Sequence, residues 1–276
     1  MVLAVSRSPP LFEGLKSLRH IHIDFTVPYA EVAPMPLSPN IPWSQLTSFD
    51  MSSESALLNF SDAAIILRQC RDLIELRIKI RGTAADLDTH SNLPIYLPFL
   101  RNMIIYGRLS LDPRHKPDLE SLFDLLQVPA LVCLEMIASH GIRPPLIASL
   151  VSVITRSRCK LEVLRISNYV RQKLTQHELE KLLVLLPDVR VLHTKAIHYG
   201  KGILHSMLQG EILVMLEDWS FHGSVSSIDL FDEIIQARGH ARKAVRGVLV
   251  KAVMYNDQSP IEFDSQTQEL DRRSKK

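Results

Sequence analysis

With 276 residues, 32 Lys and Arg against 30 Asp and Glu, and 46% hydrophobic content, the chain carries a formal net charge of only +2. That balance gives no overall electrostatic case for nucleic acid or an anionic membrane, and no stretch approaches the run of about 18 apolar residues that a spanning helix needs. Three cysteines, Cys70, Cys133 and Cys159, make no CxxC pair and are too few for a disulfide framework, which points to buried thiols in a reducing compartment.

The N-terminal segment offers one short apolar run, Val2 to Val5, and one basic residue, Arg7, too little for a signal peptide. A cytoplasmic or nuclear location is expected. Pro9 and Pro10 follow without periodicity, so residues 1–14 are read as a flexible lead. Near Leu18 to Asp24 a strand pattern begins, with an apolar anchor and apolar residues three and five positions after it. A side-chain period of two puts that set on one face and the intervening residues on the other.

The same spacing returns with anchors at Leu46, Leu73, Leu100, Leu131, Leu161, Val189, Leu216 and Val245, at intervals of 28, 27, 27, 31, 30, 28, 27 and 29 residues. The anchors and their two partners make 27 slots in nine segments, and 26 are apolar, Thr194 being the exception. Composition alone would fill roughly 12, so the repeat is not chance. Three residues before the anchor the side chain is usually apolar, as at Trp43, Cys70, Leu97, Val128, Leu186 and Leu213, and is expected to close the turn into the strand. Arg158 and Arg242 break that rule.

Between the strands, Pro28, Pro34, Pro36, Pro39 and Pro42 make the first connection an extended loop. Ser61 is read as the cap of a helix with Ala63 to Leu67 on its apolar side. Thr83 to Pro98 is poorer in helix signal, whereas Pro117 precedes Leu119, Leu122, Phe123, Leu125 and Leu126 at helical spacing. Pro144 to Thr155 repeats that plan, and Thr175 with Glu178 matches a capping box opening a helix through Leu186. Residues 201–209 and 226–238 supply two more helices.

Parallel strands need crossovers, and strand followed by helix in every unit predicts one curved parallel sheet with right-handed connections. The period lies in or just beyond the range of about 20 to 29 residues of leucine-rich repeats. The expected fold is therefore α/β, an irregular leucine-rich-repeat solenoid of about nine repeats over residues 15–255, with helices and loops on the convex side. Residues 256–276 turn polar and are read as a disordered tail.

Ile41-Pro42-Trp43-Ser44-Gln45-Leu46-Thr47 and the Leu-Pro-x-Leu start at Leu97 to Leu100, with variants at Val128 to Leu131 and Leu186 to Val189, resemble the leucine-rich-repeat region of F-box proteins of mushroom-forming fungi. The resemblance covers about residues 15–255. It implies the substrate-recognition part of an F-box-type ubiquitin ligase receptor, which holds a protein rather than transforming it. No F-box is visible in residues 1–14, so a ligase adaptor is expected only if a longer form carries one. The Asn usual eight positions after the anchor is replaced, for example by Thr26, Glu54 and Arg81, as in irregular repeats.

Residues two, four and six after each anchor should face the concave side, where solenoids bind. The middle column reads His22, Asp50, Arg77, Ile104, Glu135, Arg165, His193, Ser220 and Leu249, and flanking positions add Lys79, Tyr106, Lys195 and His222. An aliphatic and an aromatic anchor among arginines is the composition of interface hot spots. The expected partner site is His22, Asp50, Arg77, Lys79, Ile104, Tyr106, Glu135, Arg165, His193 and Lys195.

No HExxH, GxSxG or Gly-rich phosphate loop occurs, and Gly200-Lys201-Gly202 lacks the needed spacing, so no enzyme, cofactor or catalytic residue is expected. His193, His198 and His205 fall on strand, loop and helix with no Cys to join them, and no metal site is expected. Arg238, His240, Arg242, Lys243 and Arg246 form one basic run without interleaved aromatics, read as a solvated helix end. Two alternatives stand beside the receptor reading: a free-standing repeat scaffold, and a nucleic-acid binder using Arg77, Lys79, Arg165, Lys195 and the 238–246 run.

Overall fold

The structure, a computed structural model, describes residues 17–23, 41–52, 58, 60–81, 93–108, 118–138, 144–168, 176–240, 251–255 and 260–264. The expected N-terminal lead, most of the proline-rich loop and the end of the polar tail lie outside them. The described chain is α/β, with an open, mostly parallel sheet. Its strands are β1 (His20–His22), β2 (Ser48–Met51), β3 (Glu75–Arg81), β5 (Asn102–Arg108), β7 (Cys133–Ala138), β8 (Val163–Asn168), β9 (Val191–Tyr199), β10 (Asp218–Val225), β11 (Lys251–Tyr255) and β12 (Pro260–Asp264), adjacent in that order. All neighbours pair in parallel except β11 and β12. Two short strands, β4 (Ile95–Tyr96) and β6 (Leu126–Gln127), form a separate parallel pair.

Each strand start is tied to its neighbour through one carbonyl that accepts two backbone N–H groups. Arg19 accepts from Thr47 and Ser48, Thr47 from Ile74 and Glu75, and Ile74 from Arg101 and Asn102. Arg101, Val132, Glu162 and Arg190 continue the series as far as Asp218, every distance lying between 2.8 and 3.1 Å. The turn ahead of each strand closes as its spacing implies, because the anchor N–H donates to the carbonyl three residues back: Leu46 to Trp43, Leu73 to Cys70, Leu100 to Leu97, Leu131 to Val128, Val189 to Leu186 and Leu216 to Leu213. Arg158, one of the two exceptions, instead has a positive φ of 52°.

Burial follows the alternation. In β3 Leu76, Ile78 and Ile80 are fully buried, in β5 Met103 and Ile105, in β7 Leu134 and Met136, in β8 Leu164 and Ile166, while the residues between them remain partly or largely exposed. Helices α1 (Phe60–Gln69), α2 (Asp118–Leu125), α3 (Pro144–Ser157), α4 (Gln176–Val184), α5 (Lys201–Gln209) and α6 (Ile228–His240) contribute the other half of one continuous core, each packing on the next. Small departures concern ends. Phe60 opens α1, so Ser61 lies inside it rather than capping it, and Leu186 follows α4 in a turn. At β5 the core is so close to α2 that a Cβ on Gly107 would meet Leu119 Cδ1 at 2.0 Å.

Three expectations require correction. The ninth strand does not start from Val245: Asp218 pairs with Lys251 and Ser220 with Val253, so β11 begins later and Leu249 does not stand in the row of Ser220. The polar tail is interrupted by β12, whose Ile261 and Phe263 alternate with Glu262 and Asp264 and which pairs antiparallel with β11. Arg238 is no solvated helix end; it is 1% exposed, because its guanidinium donates to the carbonyls of Met207, Ile212 and Leu213 at 2.6, 3.1 and 2.7 Å. Burial pulls its pKa down to about 10. Arg156 of α3 does the same for Phe123 and Leu126 at the end of α2. Carbonyls at helix ends lack intrahelical donors, and a cation satisfies them.

Thr194, the polar exception in the repeat, is 5% exposed and its hydroxyl lies 2.9 Å from the Tyr199 hydroxyl. A register shift makes this contact: Lys195 pairs with His222 but Ile197 with Gly223, leaving Ala196 as an extra residue. Such a bulge reverses the inward phase, so Ile197 and Tyr199 are buried, while His198 between them is only half-buried. Tyr199 then joins Trp219, Phe221 and Phe231 with ring centroids 5.0 to 5.6 Å apart. Burial pushes the Tyr199 hydroxyl pKa up to about 12, against the lowering effect of Thr194. Thr194→Val should destabilise by about 1–3 kcal/mol by orphaning a buried hydroxyl, and adding Tyr199→Phe should recover most of that loss in urea unfolding.

Candidate functional site

The residues between the buried positions form rows across the sheet face that the described helices leave open. One row runs His22, Asp50, Arg77, Ile104, Glu135, Arg165, His193 and Ser220, each the register partner of the next. A second runs Lys79, Tyr106, Ile137, Ser167, Lys195 and His222. All ten expected partner-site residues therefore stand on one face, in two adjacent rows. Equal spacing from each anchor produces this, since the strand starts are locked together.

Charges in the first row are matched along the sheet. Asp50 Oδ2 lies 3.3 Å from His22 Nδ1 and 4.0 Å from Arg77, and its Oδ1 accepts from the N–H and hydroxyl of Ser52 at 3.1 and 2.7 Å. Farther along, Glu135 pairs with Arg165 at 3.6 Å and His193 Nε2 with Asp218 at 3.1 Å. Opposite charges on directly neighbouring strands stabilise a sheet modestly. Their larger consequence is electrostatic, because neither arginine of this row presents an unbalanced cation.

Ile104 and Tyr106 of β5 stand between the two paired stretches. They are half-buried, as are Ile137 and Cys133 of β7, Val163 of β8 and Val191 of β9 on the same face. Ile137 was left out of the sequence-derived set although it stands six after its anchor, and Cys133, Val163 and Val191 stand two after theirs. The register sets Ile137 beside Tyr106, and sets Cys133, Val163 and Val191 in a separate row that continues from Asn102, with Glu135, Arg165 and His193 between the two. Burial pushes the Cys133 thiol up, with Arg165 opposing and Glu135 reinforcing the shift. Cys70 is buried outright and is pushed up to about 12.

Ser220 stands opposite His193, which meets Asp218, but among the described residues no hydrogen bond joins the serine hydroxyl to the imidazole. The pair acts here as a polar contact. His198 lies on β9 rather than in a loop, and His205 is exposed on α5. Trp43 and Trp219 are 4% and 0% exposed and serve packing, the former edge-on to Phe49. Among the described residues no helix is long and apolar enough to cross a membrane.

Fold and face together define an open α/β sheet protein whose open sheet face carries matched charges beside half-buried apolar residues. No family model matches the chain, and no curated protein matches it. Because the Arg165 side chain is 41% exposed, a double-mutant cycle of Arg165→Ala with Glu135→Ala should give a coupling of only about 0.2–1 kcal/mol. A larger value in chemical denaturation would mean the pair is shielded from water.

Proposed function

We propose that the chain is a non-enzymatic protein-interaction module, a leucine-rich-repeat solenoid that holds a protein partner on the open face of its sheet. The observation that carries this reading is the half-buried Ile104, with Tyr106 and Ile137 in the neighbouring row, set between the Asp50–Arg77 and Glu135–Arg165 pairs. An apolar centre within a polar rim is the anatomy of interfaces, and aromatic anchors dominate their energetics. The sequential strand order and the repeated carbonyl ladder support the solenoid.

The resemblance to F-box proteins extends the reading to a ubiquitin-ligase substrate receptor working in the cytoplasm or nucleus. In that role the face selects a substrate and the other subunits supply the chemistry, so no cofactor is required. Nucleic acid is the weaker reading, because Arg77 and Arg165 already face Asp50 and Glu135.

Affinity purification of the tagged chain from its own cells, followed by mass spectrometry, tests the ligase role. Stoichiometric adaptor and cullin subunits are expected; other partners without them would leave a free-standing scaffold. Ile104→Thr with Tyr106→Ser should weaken binding of a recovered partner by at least about tenfold while lowering the unfolding midpoint only modestly and keeping a single cooperative transition. Unaltered affinity would move the site off this face.

A further inference from the structure

A second surface lies at the edge where the strands begin. It consists of two adjoining hollows of about 640 and 370 Å³ that share Asp72 and Phe99. The larger is lined by Arg68, Arg71, Tyr96 and Pro98, the smaller by Arg19, Ile74 and Arg101. Tyr96 and Phe99 are 54% and 58% exposed, unusual for aromatic side chains in a chain whose two tryptophans are buried. Leu93 and Ile74, also largely exposed, extend the apolar lining.

The electrostatics differ from those of the open sheet face. Four arginines face one carboxylate, Asp72. Arg19 and Arg68 are steadied by donating to the carbonyls of Gln45 and Leu93 at 3.3 and 2.8 Å. Arg71 and Arg101 have no ion-pair partner among the described residues, and both are exposed. The backbone under them is fixed, since Arg101 belongs to the carbonyl ladder.

We propose that this edge is a docking groove for an extended acidic peptide segment of a partner protein, with apolar side chains seated on Tyr96 and Phe99 and carboxylates on Arg71 and Arg101. Charge complementarity selects the occupant. Forked guanidinium donors suit carboxylates, and exposed aromatics suit apolar anchors. Asp72, at the junction of the hollows, argues for a peptide over a phosphate backbone: a peptide brings N–H donors to it, whereas phosphate brings only acceptors. The groove is independent of the open sheet face and serves a second contact.

The experiment is selection of random linear peptides displayed on phage against the immobilised full chain, with fluorescence anisotropy of the recovered peptides. Enrichment of Asp and Glu around Leu, Phe or Tyr is expected, with binding that weakens as salt rises. Arg71→Glu with Arg101→Glu, and separately Phe99→Ser, should each lower affinity by about tenfold or more without shifting the unfolding curve. Ile104→Thr with Tyr106→Ser should leave it unchanged, which separates failure here from failure of the sheet-face reading. Absence of acidic enrichment, peptides that bind the groove variants equally well, or tighter binding of oligouridylate than of any selected peptide would overturn the proposal.

Discussion

The doubly accepting carbonyl at the start of each strand is the constraint on which the rest of this structure depends. In a parallel sheet nothing in the alternation of side chains alone fixes which residue of one strand faces which of the next. Here Arg19, Thr47, Ile74, Arg101, Val132, Glu162 and Arg190 fix it seven times in succession. The anchor immediately before each of these carbonyls is buried, Leu18 in part and the other six almost completely, so apolar burial and hydrogen bonding enforce the same register. A slip by one residue would expose the apolar set and bury the charged one.

That register makes two surfaces of different character. Across the open face, charges that are far apart in sequence fall beside their opposites, and apolar residues of neighbouring strands meet on either side of them, Tyr106 with Ile137 and Cys133 with Val163. Such a face can lose water over its centre without stranding a cation. At the edge where strands begin, the same locking displays Arg101 and Ile74 at fixed positions beside the aromatic pair of the β4 segment. One surface is balanced in charge and the other is cationic, which suits them to different contacts.

Where the repeat is irregular, polar groups are paired rather than tolerated. The bulge at Ala196 turns Tyr199 inward, and Thr194 supplies the hydroxyl that such a buried phenol requires. Arg156 and Arg238 sit near the ends of α3 and α6 and donate to carbonyls at or just beyond the end of the preceding helix. Thr194 and Arg238 thus enter the core although composition marks them as hydrophilic, whereas Arg156 stays exposed at its edge, because a buried polar side chain is tolerated where it finds hydrogen-bond partners.

The sequence by itself determined the periodic elements: the strands of the main sheet from β1 to β10, the turn-closing residues, most helices, and, up to the bulge in β9, which side chains of each strand turn inward. Those depend on local spacing, which is written directly in the order of residues. It also set the ten sheet-face residues on one side, because equal offsets from a repeated anchor must align. Only the tertiary structure decided what depends on contacts between distant segments. Leu249 lost its place because β11 aligns with β10 rather than with the spacing from Val245. Arg238 went inside because carbonyls roughly 30 residues earlier converge on its guanidinium as acceptors. Asp50 met Arg77, and Ile137 met Tyr106, through a register set by backbone hydrogen bonds that no single segment encodes.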